Sequence, residues 1–552
     1  MKYASVLKEY TFVSLFFLLI AILFTWPLSL YLSEGFMANP HNSDAVQYIW
    51  NSWVFESSLK EGSNPFYTHQ ALFPEGANLW MHTYTPLLSA FSVPFANNIL
   101  GINIFILIQY TLSGVGAYAL CKRITLHWIP SLLTGIIFSF SPFKLLHTME
   151  HYHLILTATI PFFISCFLNA FTFTKGFFIP KINSIHYLVL SILLGIVTFL
   201  SDYYATFFLI YFCLLWAFWH YFVIRWNSYS VKKRWILFIA VFTLCHVIVE
   251  KLIRWGIDDK GGLWWGGDFI MFFIPNQSSV LYDWNIVDTF RKHFMRMQDS
   301  LEYQLFLGFA SILLLTLILF FCIKKKTPHY SGPWILILLV FIMICIPRLT
   351  VGGINIIYLP NALLHFTPFF NNLRCPARIE VLIFLLIPLC GTWMMYSAST
   401  DSWLFRYKNN ICCLLIVFSI IELMPHRQPM LLSKDIPLIM KDIQSMEGKV
   451  FITIPLGVRD GMRDEGFIDL NDLFYQTVHH KSSIGGYISR VPEKSFRMME
   501  QDAVVATLLK LSAVDSDTHA EPPTKDQIAL FFKTYEPSGV LIHPEYINSN
   551  AH

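Results

Sequence analysis

The chain has 552 residues, of which 55% are hydrophobic, 17% aromatic and 14% charged. A soluble domain carries about a quarter charged residues, so an entirely soluble protein is excluded, and the net charge of +3 is too small to argue for a nucleic-acid partner. The shortage of charge is concentrated in residues 1–424, whereas 425–552 has the make-up of an ordinary water-soluble sequence. The expected fold is a polytopic α-helical membrane protein over 1–424 with a C-terminal α/β soluble domain over 425–552.

In chain order, Lys2 and Lys8 precede an apolar run at 11–32. The run is longer than a signal-peptide core and no small-residue cleavage site follows it, so it reads as a first spanning helix. A span needs roughly 20 mainly apolar residues, and about eleven stretches are candidates: 11–32, 101–121, 127–142, 152–173, 185–201, 203–224, 234–252, 302–323, 333–347, 379–396 and 409–424. The apolar stretch 84–99 is interrupted by Pro86 and Pro94 and reads as re-entrant. The ten cysteines form no CxxC and lie mostly inside apolar runs, which suits small apolar packing residues.

Short basic clusters set the expected orientation. Lys2 and Lys8, Lys122 and Arg123, Lys175 and Lys181, the cluster from Arg225 to Arg234, Lys324 to Lys326, and Arg406 with Lys408 fall on one side. The first two loops opposite hold only Lys60 and Lys144. The positive-inside bias then puts the N-terminus in the cytoplasm, and an odd number of spans puts the tail outside. The loops 33–83, 143–151, 253–301 and 348–378 share that outer face. In the tail, 449–455 and 538–543 have strand character, and 492–511 reads as helical with Pro492 suited to its first turn. With no flexible linker before it, the tail is expected to pack on the outer membrane surface.

Several polar residues stand out on the outer side. Asp44 follows the first span, and after it Val46, Ile49, Trp50 and Trp53 form one apolar helical face, with Asp44, Gln47 and Asn51 opposite. This predicts a Trp-rich helix lying along the membrane surface; Ser43 or Asp44 either caps it, or Asp44 is a carboxylate poised as a general base. Residues 143–153 hold His147, Glu150, His151 and His153. That density suits a divalent metal, hydrogen bonding to a polar substrate, or amphipathic residues at the membrane interface; the spacing matches no zinc motif. Asp202, between two apolar runs, is either a functional acid or the turn of a helical hairpin.

Arg374 and Arg378, four residues apart on the face where basic residues are disfavoured, form a fork suited to a phosphate or pyrophosphate, or snorkel to lipid headgroups. Arg254, Asp258, Asp259, Lys260, Trp264 and Trp265 populate the loop that leads to Asp268 and Asn276; aromatic residues beside polar ones suit a sugar ring or an interfacial belt. In the tail, Tyr475 begins a stretch leading to the pair Gly485 and Gly486 and on to Arg490, where the glycines suggest a tight turn near a ligand or the membrane part.

Together these positions resemble the GT-C class of membrane glycosyltransferases, the superfamily of protein O-mannosyltransferases, lipid A aminoarabinose transferases and oligosaccharyltransferases, and within it bacterial members. The resemblance rests on Asp44 with its Trp-rich helix, on 72–76 (LFPEG), 151–153 (HYH), 374–378 (RCPAR), 475–477 (YQT) and 485–490 (GGYISR). It implies inverting transfer of a sugar from a polyprenyl-phosphate-linked donor to a glycan, lipid or protein acceptor on the outer face of a bacterial inner membrane. Asp44 would be the general base, and Arg374 and Arg378 would hold the donor phosphate. Glu150, His151, His153, Asp202, Asp268, Tyr475 and Arg490 complete the candidate substrate-binding set. Asp44, Glu150 and His151 would be the ligands of a divalent metal (magnesium, manganese or zinc). The sequence departs from the class in having no paired acids at Asp44, which Ala45 follows. Two other readings are a lipid-linked glycan flippase, which would place charges within its spans, and a surface-glycan polymerase or ligase.

Overall fold

The computed structural model describes residues 2–40, 43–259, 261–294, 301–368, 370–400, 402–461, 463–513 and 521–543; Lys260 lies outside them. The chain divides into two compact units, one of residues 1–26, 107–148 and 154–427, the other of 27–106, 149–153 and 428–552.

The first unit is helical. Among the described residues of the whole chain, seven helices are long and apolar enough to cross a membrane: Ala4–Phe24, Asn98–Thr125, Trp128–His147, Tyr203–Ser228, Val231–Arg254, Pro376–Tyr396 and Trp403–Glu422. Four more expected spans are shorter apolar helices, Thr159–Ala170, Ile185–Ser201, Phe309–Ile323 and Gly332–Cys345. Local chemistry shortens them. Phe309–Ile323 begins after Gly308, whose φ of +79° breaks the helix. Its first amides are capped by a distant side chain: Phe309 N–H donates to Glu422 Oε1 at 2.5 Å and Ala310 N–H to Oε2 at 3.3 Å. Thr159–Ala170 ends where Phe171 turns extended to pair with Ile182.

The core of this unit is built around Glu380–Tyr396, in which every residue but Trp393 is buried. It packs on Trp128–Ser139, Phe309–Ile323 and Gly332–Cys345. Outer helices expose apolar side chains instead, such as Trp235, Ile239 and Leu244 on Val231–Arg254 and Leu414, Val417 and Ile421 on Trp403–Glu422. Uncovered apolar helix faces of this extent suit a lipid solvent, where all backbone polar groups are satisfied inside each helix.

One expectation is corrected here. The short loop at 143–151 is helical through His147, and Lys144 is fully buried, its Nζ donating to Ser113 Oγ at 3.1 Å and Thr157 Oγ1 at 2.9 Å over the Tyr110 ring. The helical interior also holds ionisable groups: Lys144, Glu380 and Glu422 are all buried, and Glu422 is spent on the helix cap just described.

The second unit draws the first long loop and the tail into one body. Gly35–Met37 pairs antiparallel with Met430–Leu432. The two tail segments of strand character form the strands Val450–Ile454 and Pro537–Ile542, which pair in parallel. Gly457–Arg459 pairs antiparallel with Asp464–Gly466 and parallel with Gly486–Tyr487. The helical stretch after Pro492 is two helices, Glu493–Gln501 and Ala503–Leu511, broken at Asp502. Within the apolar stretch 84–99, Pro86–Ser92 is a seven-residue helix opening on its proline, followed by a turn into Asn98–Thr125.

The helix after Asp44 is Val46–Glu61, closed by Gly62 in the left-handed conformation. It is not a surface helix. Val46, Gln47, Ile49, Trp50 and Asn51, drawn from both predicted faces, are all buried, because Pro86–Ser92 and Asn471–His479 pack on it. The Trp50 indole N–H donates to Gln476 Oε1 at 2.6 Å, and Gln476 Nε2 donates to the carbonyls of Gln70 and Lys481 at 2.7 and 2.9 Å.

Candidate active site

The geometry of the second unit converges on Asp44. Its side chain does not cap the following helix; the Ala45 N–H is met by Ser43 Oγ at 3.2 Å. Asp44 Oδ2 lies 3.3 Å from His151 Nε2 and accepts from the Tyr487 hydroxyl at 3.2 Å, and the Arg459 guanidinium is 4.0 Å from Oδ1. Burial pushes this carboxyl up, but the His151 hydrogen bond, the charges of His151 and Arg459, and the Tyr487 hydroxyl outweigh it. The net shift is downward, so Asp44 is an anion at neutral pH.

Glu150 acts from below. Its Oε2 accepts the Asp44 backbone N–H at 2.8 Å and lies 2.9 Å from Ser43 Oγ. Burial raises its carboxyl despite these bonds. It therefore fixes the backbone that carries Asp44. His153 Nδ1 is 2.5 Å from the Tyr48 hydroxyl, and Tyr48 stacks on Tyr152, whose hydroxyl donates to the Met37 carbonyl. His151 thus faces Asp44, while His153 ties the same short segment to the helix behind it.

The ligand atoms of Asp44, Glu150 and His151 already have partners within the protein. One Glu150 oxygen is committed to the Asp44 amide and Ser43. His151 Nε2 meets Asp44 Oδ2 at 3.3 Å. A guanidinium already stands 4.0 Å from the other Asp44 oxygen, where a second cation would be repelled.

The pieces behind this cluster are short and distant in sequence. Strand register pairs Arg459 with Tyr487, and the guanidinium lies 5.0 Å from the Tyr487 ring centre. That close pairing needs the glycine pair: a Cβ on Gly485 would stand 2.1 Å from the Gly457 carbonyl oxygen. Gly485 therefore serves close backbone approach to Gly457, and a Cβ on Gly486 would stand 2.9 Å from Ala71 Cβ. The segment 70–73 joins in, with Leu72 N–H donating to Gly485 O and Phe73 N–H to Ser483 O. Arg490 follows with a left-handed φ of +64° and a half-buried side chain. Tyr475 packs on the Met440, Ile443 and Phe451 cluster, while its neighbour Gln476 makes the three-way tie described above. Arg459 and Tyr487 are the residues that sequence reasoning passed over, although the quoted GGYISR stretch contains the second.

The remaining candidates belong to the helical unit. His147 ends the helix Pro142–His147, with Nδ1 2.8 Å from the Phe143 carbonyl. Asp202 caps Tyr203–Ser228, accepting from the Tyr204 and Ala205 amides, and burial pushes its carboxyl up to about 6. Asp268 accepts from the Ile270, Gly352 and Gly353 amides at 2.8–3.1 Å, so it pins the glycine turn between strands Arg348–Val351 and Ile354–Tyr358. Arg378 is held by Glu302, with Nε and Nη2 at 2.9 and 2.5 Å from Oε1, and lies over the Tyr204 ring. Arg374 stands over Trp265. The arginine fork is therefore split between two different partners.

No family profile matches the sequence, and no curated protein matches it. Among solved structures, the chain is similar to the oligosaccharyltransferase of Archaeoglobus fulgidus in the apo form, with 9% identity and a TM-score of 0.44, over 91% of this chain and 71% of that one. It is also similar to the archaeal oligosaccharyltransferase AglB of the same organism in complex with an inhibitory peptide and a dolichol-phosphate, with 10% identity and a TM-score of 0.43, over 87% and 64%.

Proposed function

We propose that this chain is a membrane glycosyltransferase of the GT-C class that moves a sugar from a polyprenyl-phosphate-linked donor to a glycan, lipid or protein acceptor at the outer face of the membrane. The observation that carries the reading is the convergence on Asp44 of His151, Tyr487 and Arg459. A carboxylate left out of helix capping, and surrounded by donors from three separate chain segments, is placed for chemistry rather than for folding.

In this reading the acceptor hydroxyl oxygen attacks the anomeric carbon from the face opposite the donor phosphate. The new carbon–oxygen bond forms as the bond from the anomeric carbon to the phosphate oxygen breaks, which inverts the centre. The acceptor proton passes to Asp44, and the polyprenyl phosphate departs with the bonding pair. The depressed Asp44 carboxyl is a weak base, so its part is to orient the acceptor and take the proton late, while Glu150 holds its backbone. Release of Arg378 to a phosphate would strand the buried Glu302 carboxylate, so Arg378 is left out of the donor-phosphate role. The apolar helices suit a bilayer, and the positive-inside bias of the basic clusters supports a cytoplasmic N-terminus with the tail, residues 425–552, outside.

The test is sugar transfer by the purified full chain in lipid, using polyprenyl-phosphate-linked sugars as donors, with Asp44→Asn as the variant. A general base contributes about 100-fold or more, and a loss of that size is expected with unchanged thermal stability. Undiminished transfer by Asp44→Asn would remove Asp44 as the base.

A further inference from the structure

His82 is fully buried in the second unit and belongs to none of the roles above. Its two ring nitrogens face two different segments. Nδ1 is 3.1 Å from the backbone nitrogen of Ser489, and Nε2 is 3.1 Å from Asn51 Oδ1. The protonation state follows from the partners. A backbone N–H can only donate, so Nδ1 must be the acceptor. The proton then sits on Nε2 and is given to Asn51 Oδ1. The orientation of the Asn51 amide is fixed independently, because its Nδ2 donates to the Thr83 carbonyl at 2.9 Å. Only the neutral ring with its proton on Nε2 satisfies both contacts. Burial favours the same form, pushing the ring down to about 3 against the opposing pull of Asp44.

These contacts span the catalytic geometry. Asn51 lies on the helix that begins just after Asp44, and Ser489 lies two residues beyond Tyr487. The ring is also edge-on to both Trp50 and Tyr487, with centres 6.4 Å apart in each case. Gly486–Tyr487 is a two-residue strand, too short to fix a side chain by ladder bonds alone.

We propose that His82 is the positioning residue that holds Tyr487, and with it Arg459, against Asp44. The proposal rests on the reading of Asp44 as the base. His82→Leu fills the space and removes both hydrogen bonds; His82→Gln offers one acceptor and one donor and is the conservative rescue. In transfer assays His82→Leu lowers kcat about 10-fold or more, with the donor KM within about 2-fold, and His82→Gln recovers most of it; one donor oriented in a site is worth roughly this much. Tyr487→Phe gives a loss of similar size, and the double variant His82→Leu with Tyr487→Phe is no worse than the poorer single one, because both act on one contact. Losses that multiply would overturn the proposal. A structure of His82→Leu supplies a readout independent of turnover: the 3.2 Å contact from Tyr487 to Asp44 opens. If that contact is retained, His82 does not position Tyr487, whatever Asp44 does. If His82→Leu does not fold, His82→Ala takes its place in the same cycle with Tyr487→Phe, and losses that multiply again overturn the proposal. Loss of the Asp44 reading would show instead as full activity in Asp44→Asn with the His82 coupling intact.

Discussion

His151 Nε2 and Asp44 Oδ2 face each other at 3.3 Å, the ring coming from a five-residue piece of chain that folds with the unit of the tail. The pair sets the acid side of the pH profile. Burial alone would raise the Asp44 carboxyl, and His151 supplies the largest opposing contribution. With the folded value depressed, Asp44 stays ionised until the pH falls below the ordinary carboxylate range, so it does not limit activity between pH 5 and 7. In His151→Leu the hydrogen bond and charge are gone while the burial remains. Asp44 then takes up its proton at a higher pH, and the acid limb of kcat/KM moves upward. A limb that stays in place on a variant of normal fold would show that His151 does not govern the charge of Asp44.

A second pH effect acts on folding. His82 is pushed down from its ordinary 6.5 to about 3 and His479 to about 4, in both cases by burial first. Below pH 6.5 the unfolded chain takes up a proton at each ring and the folded chain does not. Stability therefore falls as the pH drops from 6.5 towards 3–4, by about 1.4 kcal/mol per pH unit per fully shifted group. His82→Leu is less stable than the parent at neutral pH, having lost two hydrogen bonds, yet its stability declines less steeply on acidification. Denaturant unfolding at pH 7 and pH 5 measures the two slopes; equal slopes would contradict a buried neutral His82.

The parts of the fold legible in the sequence are those set by local pattern. Apolar length marked the helices, although caps formed by distant groups, such as Glu422 on Phe309 and Ala310, shorten the ordered turns in ways that length cannot show. Asp44 and the Glu150–His153 cluster stood out because polar residues are dense there against an apolar background. The periodicity of Val46–Glu61 was read correctly as helical and wrongly as half exposed, because the cover on its second face comes from residues 471–479, remote in sequence. Arg459 and Tyr487 were illegible for a related reason. Their strands are three and two residues long, and their meeting depends on pairing allowed by Gly485 rather than on any local motif.

Gln476 illustrates how much of the site depends on one such distant residue. Its side chain binds the Trp50 indole and the carbonyls of Gln70 and Lys481, so it joins the helix behind Asp44, the 70–73 segment and the tail. Gln476→Leu leaves the buried Trp50 donor and the Lys481 carbonyl without the Gln476 bonds, while the Gln70 carbonyl keeps the Ser483 N–H at 2.9 Å. Unsatisfied buried groups cost roughly 1–3 kcal/mol each, partly recovered by water, and a destabilisation of about 2–4 kcal/mol is expected as a lower melting temperature. Gln476→Glu retains the bond from Trp50 but sets a buried carboxylate oxygen against the Gln70 and Lys481 carbonyls, so it is no more stable than the Leu variant at neutral pH. A Leu variant as stable as the parent would mean that water replaces all three bonds.

Arg378 and Glu302 provide the clearest separation of a structural ion pair from a substrate-binding arginine. Both side chains are about nine-tenths buried, and the guanidinium gives Nε and Nη2 to one carboxylate oxygen while lying over Tyr204. Removing either partner leaves an uncompensated buried charge, at a cost of about 3–5 kcal/mol. Removing both leaves none, so the double variant Arg378→Met with Glu302→Leu should recover a large part of that loss, because a well-packed apolar pair of similar size can replace a buried ion pair with little penalty. If Arg378 serves only this pair, the double variant keeps its transfer activity while Arg378→Met alone loses stability. An arginine that binds the donor phosphate behaves differently: activity is lost in the single and double variants alike, and the donor KM rises in both. The cycle of four proteins, followed by melting temperature and donor KM together, decides between the two roles without relying on either measurement alone.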